Sequence, residues 1–217
     1  MIREIGYELL RMSSQKKNYI PIAGYLFFIG LCYIACRTSA KVIAGHISTF
    51  GIPPEEAIKY LDGLCFARIV LIPTFIVLMP LVMATLGGDC VAGEMQEGSL
   101  ALYMTRSRSR TFVILQKFAA IYIAGFIYSI FFACASIIIG IMLFGLAPTQ
   151  IMLLSGRTFG DNMAIMSNGE SLVRYAMAVL YFSFSLMTLG SMALFFSTVF
   201  NRMSSAAIAV LTFYFVS

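Results

Sequence analysis

Few residues in this sequence could carry catalytic chemistry. His46 is the only histidine, so a two-histidine zinc motif cannot form, and neither a Gly-x-Ser-x-Gly elbow nor a Walker phosphate loop occurs. Glu55 and Glu56 form an acidic pair, but Pro53 and Pro54 precede them, which is typical of a helix N-terminus. The sequence therefore predicts a protein that is not an enzyme and that binds no metal or other cofactor itself.

The densest pattern of charged and small residues spans positions 88–118. Glu94 and Glu97 lie near the start of a predicted amphipathic helix over 94–104, which Gly98 weakens by up to ~1 kcal/mol relative to alanine. Arg110 and Lys117 follow at the base of the next apolar block. Basic side chains at such a position can bind lipid phosphates, so lipid anchoring is the simplest role for this segment.

A second pattern is a row of small residues, here called the small-residue seam. It consists of residues at seven-residue spacing: Ala176, Ser183, Gly190, Ser197 and Ser204. Small residues let membrane helices approach each other closely. The seam predicts a packing face, either against another helix of this chain or against a second copy of the protein.

Long apolar blocks must position these residues. Hydrophobic residues make up 60% of the 217 residues and charged residues only 12%, against about a quarter in soluble proteins. The apolar residues concentrate in blocks at 20–36, 69–86, 118–146 and 175–200, and the last three contain no charged side chain. Blocks of ~18 or more apolar residues are typical of spanning helices, in which the backbone satisfies its own hydrogen bonds. We therefore expect an all-α, polytopic transmembrane helix bundle.

The blocks predict one transmembrane domain over residues 1–217. Its parts are an interfacial helix (1–19), TM1 (20–36), an outer loop (37–68), TM2 (69–86), a cytosolic segment (87–117), TM3 (118–146), an outer loop (147–174), TM4 (175–200) and the start of TM5 (204–217). The last apolar run is too short to span a bilayer, so we expect the sequence to stop inside a fifth span.

The charge distribution predicts the orientation in the cell membrane. With the N-terminus in the cytosol, nine of the 15 basic residues fall in inside segments and six in outside segments. This bias favours a cytosolic N-terminus. The net charge of +5 follows from this dispersed pattern and forms no basic face, so we expect no nucleic-acid partner.

The five cysteines lack metal-site spacing. Cys36 and Cys65 flank the same predicted outer loop and could pair, but buried free thiols are the commoner arrangement, and both alternatives stay open here.

The segment 88–118 resembles the permease subunits of ABC-2 type transporters. The positions that match their pattern in order are Asp89, Ala92, Gly93, Glu94, Glu97, Gly98, Leu100, Ser109, Arg110 and Lys117. Ser99 stands where the family has threonine, and Ser107 stands where it has proline. The resemblance extends to the layout, although members of that family have six spans.

The resemblance implies a coupling mechanism. The inside helix between spans two and three would bind a groove of a cytosolic ABC ATPase subunit, and a second permease copy would pair with this chain. ATP and Mg²⁺ would bind to the ATPase, and the chain would form the membrane pathway of an exporter. The apolar spans favour an amphiphilic or hydrophobic cargo. The alternative is a non-transporting membrane scaffold or assembly protein.

Overall fold

A computed structural model describes residues 6–10, 12, 19–38, 62–96, 98, 110–146, 149–154, 162–200 and 202–216. Five helices account for most of them: α1 (Ile20–Thr38), α2 (Gly63–Gln96), α3 (Arg110–Phe144), α4 (Asn168–Val199) and α5 (Met203–Val216). Four of these, α1 to α4, are long and apolar enough to cross a membrane. The predicted class, an all-α polytopic transmembrane fold, is confirmed.

The helices extend beyond the predicted apolar blocks. Helix α2 begins at Gly63 instead of position 69 and continues to Gln96, so residues 87–96 end α2 instead of opening a separate inside helix. Helix α3 begins at Arg110 instead of position 118. Hydropathy marks where a helix leaves hydrocarbon, whereas backbone hydrogen bonds continue into polar sequence, which explains the difference. Of the helix predicted over 94–104, residues 97 and 99–104 lie outside the described residues.

The predicted outer loop over 147–174 contains regular structure. Strands β1 (Thr149–Leu154) and β2 (Asn162–Ser167) pair antiparallel, with Thr149 opposite Ser167. Helix α4 then begins at Asn168 instead of position 175. Parts of the predicted loop therefore form a strand pair and the first turns of α4, whereas residues 147–148 and 155–161 lie outside the described residues.

Helix α2 contains two π-helical turns, at Thr74–Leu78 and Asp89–Gly93. The helix continues through both Pro73 and Pro80. Because Pro80 has no amide hydrogen, it cannot bond to the Ile76 carbonyl as a regular α-helix would require. The Tyr214 hydroxyl of α5 donates to that carbonyl instead, at 3.2 Å.

The chain divides into two compact units. Unit 1 comprises Met1–Gly24, Thr74–Ile130 and Tyr181–Ser217. Its core includes Ala84 of α2, Ala193 of α4 and Val210 of α5, all at most 1% exposed. Gly87 is required there, because a Cβ atom at this position would collide with the Ala193 side chain. Small residues therefore allow α2, α4 and α5 to pack closely in this part of unit 1.

Unit 2 comprises Tyr25–Pro73 and Phe131–Leu180. Gly63 and Gly140 touch backbone to backbone, since a Cβ on Gly63 would lie 2.6 Å from the Gly140 carbonyl carbon. The Gly63 amide also donates to the Gly145 carbonyl at 2.9 Å. The start of α2 and the end of α3 are thus joined by direct backbone contact.

Unit 2 also contains what we call the hydroxyl cluster: Tyr25, Ser136 and Tyr175. The Tyr25 hydroxyl donates to the Phe132 carbonyl at 2.6 Å, and the Ser136 and Tyr175 hydroxyl oxygens lie 2.7 Å apart. All three residues are at most 4% exposed. The cluster satisfies polar groups inside the spans without any charge.

All five cysteines are among the described residues, and all are free thiols. Cys36 and Cys65 form no disulfide in this structure, so the commoner of the two sequence interpretations is the one observed.

Candidate functional site

A buried ion cluster lies in unit 1 at the start of α3, and we call it the Lys117 cluster. The Lys117 ammonium donates to Glu8 Oε1 at 2.9 Å, to Glu94 Oε1 at 2.5 Å and to the Cys90 carbonyl at 2.8 Å. Lys117 is 3% exposed, Glu94 5% and Glu8 8%. An ammonium group has three donors, so each of them has an acceptor.

The Lys117 cluster joins distant segments of the sequence. Glu8 comes from the helical residues 6–10, Glu94 from the last turn of α2, and Lys117 from the second turn of α3. Buried charges are tolerated only when they are paired, and removing one partner typically costs about 3–5 kcal/mol. These three segments are therefore held together by interactions that are costly to break.

Sequence reasoning identified two members of this cluster and missed the third. Glu94 and Lys117 were candidate site residues, and the structure brings them into an ion pair. Glu8 falls within the predicted interfacial helix (1–19) and was not a candidate site residue, yet it is buried against Lys117. No local signal pointed to Glu8, because a lysine at the base of an apolar helix can equally bind lipid phosphates.

The π-helical turn Asp89–Gly93 forms a second part of the site, and Ser197 of α4 binds it. The Ser197 hydroxyl accepts hydrogen bonds from the amides of Val91 at 3.2 Å and Ala92 at 2.9 Å. It also donates to the Gly88 carbonyl at 2.9 Å. A π turn shifts the backbone bonds from the fourth residue to the fifth, and Ser197 supplies an acceptor within that altered pattern.

The local structure explains why position 93 is a glycine. A Cβ atom there would collide with the carboxylate of Asp89, which lies against the π turn. Asp89 and Gly93 therefore form one arrangement in which the small residue makes room for the acid. Two more of the candidate residues are accounted for in this way.

The remaining candidates of the segment 88–118 are not brought into the cluster. Gly98 is exposed, adopts a φ of +71° and donates its amide to the Met95 carbonyl at 3.2 Å, which suits a residue just past a helix end. Arg110 is the first residue of α3, and its side chain is not described. Glu97, Ser99 and Leu100 lie outside the described residues.

The middle of the small-residue seam packs within this chain. Ser183 and Ser129 hydroxyl oxygens lie 2.5 Å apart, and a Cβ on Gly190 would lie 2.9 Å from the Met83 methyl group. With Ser197, these residues are buried in unit 1. The two end members, Ala176 and Ser204, are exposed. Packing against helices of this chain therefore explains the three central positions.

No three His, Cys, Asp or Glu side chains of the described residues come together in a way that could hold a metal ion. The expectations that the chain binds no cofactor and is not an enzyme stay predictions.

The fold and the site define a polytopic α-helical membrane protein with a buried charge cluster at one end of its second long helix. The chain belongs to a family described as "Protein of unknown function (DUF2705)", whose model matches residues 50–217. No curated protein matches the chain.

Proposed function

We propose that this chain is the membrane-spanning permease subunit of an ABC-2 type exporter that works with a separate cytosolic ATPase subunit. The observation that carries the proposal is the Lys117 cluster. It joins the end of α2 to the start of α3 through Glu94 and Lys117, two positions of the segment that resembles the coupling region of that family. ATP and Mg²⁺ belong to the partner, and two permease copies form the pathway.

A coupling region needs a stiff, connected path to the spans. The Lys117 cluster connects α2, α3 and the N-terminal residues around Glu8, and Ser197 connects α4 to the same end of α2. A displacement of residues 97–109, which link α2 to α3, would therefore act on several helices together. This connectivity supports a role in transmitting movement from a motor.

Within this proposal, Glu94 is a positioning residue that does not touch the ATPase. Its side chain is buried, whereas its neighbours Met95 and Gln96 are exposed at the end of α2. The contact with the ATPase is expected at Met95, Gln96 and the residues that follow. Glu94 would instead fix the direction in which this surface points.

A test of the orientation uses single cysteines in a variant whose five native cysteines are replaced by alanine. Gln96→Cys and Glu170→Cys change exposed residues at the end of α2 and the start of α4. A maleimide that does not cross membranes should label Glu170→Cys in intact cells and Gln96→Cys only in inside-out vesicles. Labelling of Gln96→Cys in intact cells would exclude a cytosolic partner at this site.

A test of the partner is purification of the tagged protein from its own membranes in mild detergent. We expect a co-purified subunit with a Walker motif and vanadate-sensitive ATP hydrolysis. Met95→Ala combined with Gln96→Ala should lower this turnover. The matched control, Glu170→Ala combined with Arg174→Ala, changes two exposed residues of α4 and should leave it unchanged.

The outcome also addresses the alternative function. A stable complex that contains no ATPase, or an ATPase whose turnover is the same with and without this chain, would contradict the transporter proposal. That result would favour the membrane scaffold.

A further inference from the structure

A cavity of about 360 Å³ lies within unit 1 between α2, α4 and α5. Its wall includes Phe75 and Ile76 of α2, Phe182 and Thr188 of α4, and Phe213 and Tyr214 of α5. Ile76 is 46% exposed and Phe213 52%, so the cavity is open to the surroundings of these helices. Its volume is at the lower end of the range of ~300–1,000 Å³ that is typical of ligand pockets.

The first π-helical turn of α2 forms one side of the cavity. The turn Thr74–Leu78 contributes both Phe75 and Ile76 to the wall. Tyr214 is fixed by its bond to the Ile76 carbonyl, and the rings of Phe75 and Phe182 pack with centroids 5.2 Å apart. The wall is thus held by contacts within the protein and does not require a ligand to form.

The hydroxyl groups of the wall are already engaged. Ser185 donates to the Tyr181 carbonyl at 3.1 Å, Thr188 to the Ser185 carbonyl at 2.7 Å, and Tyr214 to the Ile76 carbonyl at 3.2 Å. Each hydroxyl has a single hydrogen, so none remains to donate to a ligand. The described residues of the wall include no charged side chain. An ionic group, or a group that needs a hydrogen-bond donor, would therefore lose its hydration here without a matching partner.

We propose that this cavity binds a single alkyl chain. An uncharged chain matches an uncharged wall, and it needs no hydrogen-bond donor from the wall. Lipid tails are as apolar as leucine, so the hydrophobic effect does not favour the cavity over the bilayer. Retention depends on dispersion contacts with the aromatic side chains of the wall, which are individually small and collectively large. This inference does not depend on the proposed transport function.

The chain contains no tryptophan, so one introduced tryptophan reports without background. Phe213→Trp places the reporter in the wall, and Phe195→Trp is the control, because Phe195 is 63% exposed on α4 and is not part of the wall. The protein in lipid nanodiscs is titrated with 1-bromododecane or with phosphatidylcholine that carries brominated acyl chains. Bromine quenches tryptophan on contact.

We expect saturable quenching at position 213 that dodecane competes away, and linear, non-saturating quenching at position 195. If only the brominated phospholipid gives saturable quenching, the occupant is a bilayer lipid chain. If bromododecane gives saturable quenching as well, the cavity is a site for free alkyl compounds. Ser185→Phe, which fills the cavity, should abolish the saturable part. Thr188→Val should retain it, because the Thr188 hydroxyl is engaged with the backbone.

Several results would overturn the inference. One such result is linear quenching at position 213 with both probes. Another is weaker quenching at position 213 than at position 195, which would mean that protein covers the opening of the cavity. Persistence of the saturable part in Ser185→Phe, or its loss in Thr188→Val, would equally contradict it. Should Phe213→Trp fail to fold, Phe182→Trp supplies a second reporter in the wall.

Discussion

The Lys117 cluster of unit 1 and the hydroxyl cluster of unit 2 solve the same problem by different chemistry. Both bury polar side chains in apolar helices, where an unpaired group is costly. The Lys117 cluster uses one ammonium and two carboxylates from three distant segments. The hydroxyl cluster uses neutral groups that bond to each other and to the carbonyls of Phe132 and Ala133.

The difference lies in what happens when one member is lost. Loss of a hydroxyl removes one neutral hydrogen bond, which typically contributes about 0.5–1.5 kcal/mol. Loss of the ammonium deprives two buried carboxylates of their shared cationic partner, which costs several times more. The Lys117 cluster, whose disruption costs more, is found where the proposed coupling region meets the spans. This location favours a functional reason for the buried charges.

The largest effect is expected for Lys117→Met. It should destabilise the protein by about 3–5 kcal/mol, because Glu8 and Glu94 lose their common partner. Thermal unfolding of the nanodisc-embedded protein measures the change. The triple variant Glu8→Gln, Glu94→Gln and Lys117→Met removes all three charges and should recover most of the loss. Without that recovery, packing and not charge would be the cause.

The second-largest loss of stability is expected for Ser197→Ala. The substitution leaves the amides of Val91 and Ala92 without the acceptor that Ser197 supplies, at a cost of about 1–3 kcal/mol. Ser191→Ala is the matched control on the same helix, because Ser191 is exposed and bonds only locally, to the Thr188 carbonyl. Equal unfolding temperatures for the two variants would show that Ser197 does not stabilise the π turn.

Tyr175→Phe tests the hydroxyl cluster. It removes the hydroxyl beside Ser136 and should cost about 0.5–1.5 kcal/mol, clearly less than Lys117→Met. Tyr181→Phe provides the comparison, since Tyr181 is 72% exposed, and it should not change the unfolding temperature. A loss as large as that of Lys117→Met would remove the contrast between the two clusters.

The smallest effect is expected for Tyr214→Phe, at about 0.5 kcal/mol, because the Ile76 carbonyl loses its donor in an exposed hydrogen bond, at the low end of the usual range. The effect should shrink in a Pro80→Ala background, which restores an amide at the position that bonds to this carbonyl in a regular helix. A double-mutant cycle of unfolding free energies measures the coupling. Strictly additive effects would show that Pro80 is not the reason for the bond.

The spans were predictable because their signal is local. The first apolar block, 20–36, corresponds to α1 at Ile20–Thr38, since hydropathy alone defines a helix that lies in hydrocarbon. The polar continuation of α2 to Gln96 was not predictable in this way, because residues 87–96 have no apolar run. Without that continuation, the distance between Glu94 and Lys117 could not be inferred.

The site was only partly predictable for a related reason. Glu94 and Lys117 were identified from the motif, but Glu8 is 109 positions from Lys117 in sequence, and no local pattern connects them. Ser197 was recognised as a small residue of the seam, yet its hydrogen bonds depend on a π turn that helical periodicity does not reveal. Long-range pairing and local departures from the α-helix therefore had to come from the structure.

Gly63 at the start of α2 contacts the backbone of Gly140 and donates to the Gly145 carbonyl at the end of α3. The connection that enters α2 and the connection that leaves α3 share one anchor point. A force applied to either connection would therefore act on the same pair of helix ends. A substitution of Gly63 or Gly140 by any larger residue would separate these ends and make each connection respond on its own.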